Sequence, residues 1–153
     1  MAQHASALGE VLGGTGGAEA DWPPLPVRLP LAGADASLMR LFHHHVYEYG
    51  RGVRALFLMT ISTRELPPLL ARLERHGIDH FVQQVSPAKV NLFFGREAFV
   101  AVARALVTRP LNTLSAEEDF MLGTMLGYDR EQQCRRYLTR SGRAMPEAAL
   151  AAE

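Results

Sequence analysis

Two stretches in the middle of this sequence are apolar on both faces when read as strands, and that property constrains everything around them. In VRALFLMTI (53–61), alternation puts Val53, Ala55, Phe57, Met59 and Ile61 on one side; Leu56 and Leu58 fall on the other, beside Arg54 and Thr60. In KVNLFF (89–94), Val90, Leu92 and Phe94 share a face and Phe93 points the opposite way. A sheet built from such strands has to be covered on both sides or pair with another molecule.

The flanking segments supply candidate cover. RLFHHHVYEY precedes GRG, and aromatic and β-branched residues on either side of Gly50 and Gly52 predict a hairpin whose first strand is Leu41–Tyr49. STRELPPLLARLERHG predicts a helix from near Glu65 to His76: Pro67 and Pro68 are tolerated only in a first turn, Gly77 supplies the left-handed stop, and Leu66, Leu69, Leu70 and Leu73 form the buried stripe. Strands follow near His80–Val85 and Lys89–Phe94, turned at Ser86–Ala88, then a helix REAFVAVARALV burying Phe99, Val102, Ala103 and Leu106. Ser115–Arg140 is the most fully specified stretch. Ser115 with Glu118 forms a capping box, Glu117, Glu118 and Asp119 complement the helix dipole, Gly127 ends the first helix, and Asp129 with Gln132 caps the second. The expected fold is therefore α+β: a ββαββα, ferredoxin-like-related antiparallel sheet with helices on one face, and a C-terminal αα-hairpin covering the remaining apolar surface.

A chain of 153 residues suits one domain with tails. The reading is a Gly/Ala/Pro-rich tail over 1–38, disordered or loosely docked through Trp22 and Leu25, a domain over 39–141, and a flexible tail over 142–153. Met39 opens the ordered pattern abruptly enough to be a translation start. Zero net charge removes any bulk electrostatic attraction to nucleic acid or an anionic membrane. No apolar run is long enough to span a bilayer and no signal peptide is evident, so the expected location is cytoplasmic.

The candidate sites are few. On a strand, His43 and His45 share a face and offer two imidazoles to a borderline metal such as zinc, with Tyr47, Glu48, His76, His80 or Cys134 completing the shell; no diagnostic ligand spacing accompanies them. Cys134, the single cysteine, falls beside Tyr137 and Leu138, where a buried, inert thiol is expected. Met121 and Met125, one turn apart on a helix apolar nearly all round, and Phe93 on the second sheet face are candidates for a subunit or partner interface. Gly123, awkward in mid-helix, would admit another backbone closely. The helix pair at 115–140 also has the length of a helix-turn-helix, with Arg130, Gln132, Gln133, Arg136 and Arg140 on its second helix; the acidic first helix and the neutral chain argue against nucleic acid. No P-loop, dinucleotide fingerprint or Ser/His/Asp signature is present, so no catalytic residue is assigned and no cofactor is required.

HHHVYEYGRGVRALFLMT (43–60), VNLFFG (90–95) and EEDFMLGTMLGYDREQQCRRYL (117–138) resemble a small bacterial family known only as a domain of unknown function (number two thousand and twenty-three). The resemblance runs from Met39 to Leu138 and implies a compact α+β fold, with members beginning near Met39 and no activity to transfer; it also implies a redox setting with a flavodoxin as partner. Together these readings give a protein- or small-ligand-binding module, a homodimer through a sheet edge or the methionine-bearing helix, rather than an enzyme. The alternatives are a metal- or redox-associated protein using the His43/His45/Cys134 region and a DNA-binding helix pair at 115–140.

Overall fold

The computed structural model of the protein describes residues 35–143. The predicted tails over 1–38 and 142–153 lie largely outside those residues. The chain runs α1 (Ala36–Gly50), β1 (Leu56–Ser62), α2 (Leu66–Arg75), β2 (Asp79–Ser86), β3 (Lys89–Gly95), α3 (Glu97–Leu106), α4 (Ala116–Met125) and α5 (Arg130–Arg140), with short 3₁₀ turns before α2 and α4. It is an α+β fold around a three-stranded antiparallel sheet of order β1-β3-β2.

The segment expected to be the opening strand is a helix instead. Met39, Phe42 and Val46 are buried at spacings of three and four, the period of a helix and not of a strand. Asp35 caps it by accepting from the Ser37 amide at 3.1 Å. Gly52, at φ +70°, ends the helix rather than turning a hairpin, its amide donating to the Tyr49 carbonyl at 3.0 Å.

The two-sided strands are as read from Leu56 onward; Val53, read as part of the first strand's apolar face, precedes it and is exposed. On one face of the sheet Phe57, Met59, Ile61, Val90, Leu92 and Phe94 pack against Met39, Phe42 and Val46 of α1 and Leu69 and Leu73 of α2. On the other face Leu56 and Phe93 pack against Val100 and Ala103 of α3 and Leu122 and Leu126 of α4 and its end. Helices thus lie on both faces of the sheet, but not divided as expected. α2 and α3 take opposite sides, which departs from the expected ferredoxin-like layout, and the place expected for a fourth strand is filled by a helix in another layer. The α2 boundaries follow the signals in the sequence: Ser62 and Glu65 form a capping box, and Gly77 stands at φ +62° past the last turn. α3 is rotated from its predicted setting, so Val100 is buried and Val102 is 42% exposed.

α5 does not touch the sheet's core. None of its residues is buried. It runs antiparallel along α4, with Tyr137 against Phe120 (ring centroids 5.6 Å apart) and the Tyr137 hydroxyl donating to Glu117 at 3.3 Å. α4 therefore closes the second apolar face together with α3, and α5 is a second tier fastened to α4.

Candidate binding cleft

The histidine run sits on α1, where residues two apart diverge by about 200°. His43 and His45 accordingly face different surroundings. His43 is half-buried; burial, and then the charges of Arg72 and His76 on the α2 side, push its pKa below the usual value. His45 rests on the rings of Phe57 and Phe94, with centroids 5.2 and 6.5 Å away. Its Nδ1 lies 2.9 Å from an Arg54 guanidinium nitrogen. Glu48 Oε2 lies 3.3 Å from the same Nδ1; a guanidinium only donates and a carboxylate only accepts, so the shorter Arg54 contact requires a neutral ring with its proton on Nε2, and the Glu48 contact requires the other tautomer. Burial is the main reason His45 has a lowered pKa; the Arg54 charge adds to this and Glu48 opposes it. Arg54 also donates to Glu48 at 2.8 Å and lies over the Phe57 ring at 4.5 Å, and its hydrogen bond is the leading cause of the lowered Glu48 carboxyl pKa. The cluster is a clasp tying the end of α1 to the start of β1.

The shared-face geometry expected of His43 and His45 is absent because the segment is helical. Cys134 is exposed on α5 rather than buried, since α5 meets α4 through other residues. His80 is satisfied locally, its Nδ1 lying 2.9 Å from the Ile78 carbonyl. Among the described residues no group of three or more His, Cys, Asp or Glu side chains is arranged to hold a metal ion. Nor is any helix long and apolar enough to cross a membrane. Phe93, read as an interface residue, is fully buried and stacked on Phe81 with centroids 4.6 Å apart. Met125 packs against the second core cluster, and Met121 is 47% exposed.

Of the arginines read as base or phosphate contacts, Arg136 and Arg140 are turned onto α4, while Arg130 is exposed at the start of α5. Asp119 accepts from Arg136 Nε at 2.6 Å and from a second Arg136 nitrogen at 3.0 Å, and its other close cation is Arg140 at 2.7 Å. Arg140 also donates to the Leu114 carbonyl at 2.7 Å. The Arg136 hydrogen bond is the first cause holding the Asp119 carboxyl below its ordinary range. In the same first turn of α4, Ser115 and Glu118 complete the predicted capping box, and Arg109 pairs with Glu118.

This clasp opens a cleft of about 610 Å³ between the 3₁₀ turn Leu111–Thr113, α4 and the start of α5. Its walls combine Leu111, Leu114, Leu122 and Leu126 with the side-chain amides of Asn112, Gln132 and Gln133, and Tyr128 stands at one side. Gly123 makes room for it. A Cβ there would fall on the Gln133 amide, so the missing side chain lets Gln133, and not another backbone, approach α4. Sequence reading singled out Gly123, Gln132 and Gln133 separately, but nothing in it joined them to Asn112 and the leucines, because the cleft exists only once α5 folds back on α4.

A family model described as protein of unknown function (DUF2023) matches residues 40–140. A search of curated proteins finds no match. The chain belongs to the DUF2023 family.

Proposed function

We propose that this member of the DUF2023 family is a binding module whose ligand seat is the cleft between the Leu111–Thr113 turn, α4 and α5. The observation that carries the reading is the composition of that cleft. Its volume of about 610 Å³ falls in the range of small-molecule sites. Four leucines provide an apolar floor, and the three amide side chains make no hydrogen bond to other described residues, which leaves their donors and acceptors for a ligand. The two charged side chains in the lining, Asp119 and Arg136, pair with each other. That favours a compact neutral molecule with a flat apolar body and amide- or carbonyl-like edges over a phosphate or a carboxylate.

The lining also argues for binding over chemistry. It contains no serine, cysteine, histidine or lysine, and its single carboxylate is held as an anion by two guanidinium groups. The test is a screen of neutral, amide-bearing aromatic fragments against the ¹⁵N-labelled full chain. Amide shifts concentrated at Asn112, Gly123, Gln132 and Gln133, and lost when Gln132→Trp fills the cleft from its rim, are the expected result. Hits that scatter over the surface, or that survive Gln132→Trp unchanged, would reject the proposal.

A further inference from the structure

The proline-rich stretch DWPPLPVRLP (21–30) lies outside the described residues, and the chain enters them at Asp35, the cap of α1. From there α1 leads toward the cleft. Its last turn holds Glu48, which accepts from Arg54; the Arg54 side chain lies beside Gly127, and the next residue, Tyr128, lines the cleft. The route is about 20 Å along α1 and roughly 15 Å more across Arg54 to the cleft mouth. Trp22 stands 13 residues before Asp35, a reach of about 40 Å for an extended, proline-restricted chain, whereas Pro30, five residues before it, reaches about 16 Å. Trp22, Pro23 and Pro24 are therefore the part of the stretch that can arrive at the cleft, with the residues between them and Asp35 passing over α1. The surface along that route is apolar. Leu41 and Tyr47 stand exposed on α1, Val53 on its link to β1 and Tyr128 at the cleft, half of the large apolar side chains exposed among the described residues.

We propose, on the reading of the cleft as a ligand seat, that this chain's own Trp22-Pro23-Pro24 segment occupies it as a tethered plug that a small ligand has to displace. The segment has the chemistry that the walls select. A peptide bond to proline is a neutral tertiary amide, with a carbonyl that accepts and no N–H that needs a partner. The side-chain NH₂ groups of Asn112, Gln132 and Gln133 are donors for such carbonyls. The indole offers the leucine floor a flat apolar body, about 150–250 Å² of burial, and its one N–H finds an acceptor in the amide oxygens. Adjacent prolines arrive with φ already fixed, so seating them costs little conformational entropy. The tail of a second copy carries the same groups. The tether decides between them, because a short flexible link holds the chain's own segment at an effective concentration in the mM range.

Trp22 is the only tryptophan of the chain, so its fluorescence reports the seat directly. In the full chain its emission should lie to the blue of a synthetic 21–34 peptide and resist acrylamide quenching several-fold better, with no change on dilution. Gln132→Phe, which fills the cleft from its rim without adding an indole, should return both readings to those of the peptide, with circular dichroism confirming the fold. Pro23→Gly with Pro24→Gly, which leaves residues 35–143 untouched, should expose Trp22 in the same way. Trp22→Ala should tighten fragment binding at the cleft about tenfold for a plug seated about nine-tenths of the time. Quenching as ready as in the peptide, shelter that survives Gln132→Phe, or shelter lost on dilution, which would give the seat to the tail of another copy, would each overturn the plug. Fragments that bind the native chain and Trp22→Ala equally would also overturn it while leaving the ligand seat standing. A sheltered Trp22 released by Gln132→Phe, with no fragment binding to either protein, would uphold the plug and reject the small-molecule reading of the cleft.

Discussion

Replacing Asp119 with asparagine should loosen α5 while leaving the sheet intact. α5 has no fully buried residue, so beyond the Tyr137–Phe120 ring contact its attachment depends on polar contacts to α4, and Asp119 is the centre of them, holding Arg136 through two nitrogens and Arg140 at 2.7 Å. Asparagine keeps the shape but removes the charge that both guanidinium groups face. The Asp119 side chain is 16% exposed, whereas those of Arg136 and Arg140 are 55% and 25% exposed. Solvent screening therefore puts the loss between an exposed pair and a desolvated one, about 1–2 kcal/mol for the three-residue cluster. That corresponds to a roughly 5- to 30-fold rise in the open population of α5. Hydrogen exchange read by mass spectrometry should show faster exchange over Arg130–Arg140 by about that factor, with β3 unchanged. The same cluster predicts an acid dependence. Because the folded-state pKa of Asp119 is depressed, its contribution is present above the unfolded value of about 3.9 and is lost as pH falls through the lower folded value. α5 should thus loosen below about pH 4 in the native protein, and Asp119→Asn should remove that part of the pH response. Equal exchange of α5 in both proteins, or loosening of β3 in step with α5, would refute the view that α5 is a tier held by this clasp.

Three further substitutions test other joints of the fold. Gly95→Ala should cost roughly 2–6 kcal/mol, because Gly95 stands at φ +156° and a Cβ would sit far inside van der Waals contact of the Ala55 carbonyl, which is already fixed by the Arg96 amide at 2.8 Å; thermal unfolding should fall by about 10 °C or more. Gly123→Ala should raise the melting temperature: it gains up to about 1 kcal/mol of helix propensity, and the only group in its way is the flexible Gln133 amide, whose displacement would show as altered fragment binding at the cleft. Asn91→Leu should lower stability by about 1–3 kcal/mol in chemical denaturation, since Asn91 is a buried polar residue accepting from the Thr60 hydroxyl at 2.7 Å and donating to Gln83 at 2.9 Å across all three strands.

Much of this architecture was written locally in the sequence. Phe57, Met59 and Ile61 against Leu56, and Val90, Leu92 and Phe94 against Phe93, alternate so strictly that both faces of the sheet and the need for two covers are legible before any coordinates. The caps at Ser115 and Asp129 and the stops at Gly77 and Gly127 depend on a few neighbouring residues and are equally readable. α1 is hard to read as a helix because the β-favouring residue types in HHHVYEY compete with the three-and-four spacing of Met39, Phe42 and Val46, which carries the right period. α3 and Cys134 show a different limit. Periodicity says that a helix has an apolar stripe, but the neighbouring layer decides its rotation and whether a second-tier helix buries its stripe at all. The cleft was the least legible part, because its walls come from residues 111–136 only after two helices pack together.

The claim on which the rest depends is that α5, clasped back on α4, shapes a neutral amide-lined seat for a small molecule. A crystal of the full chain soaked with the best neutral amide-bearing fragment tests this most directly. Density lying on Leu122 and Leu126, with hydrogen bonds to Asn112, Gln132 or Gln133, is the predicted result. A cleft that stays vacant while the fragment occupies another surface would contradict it.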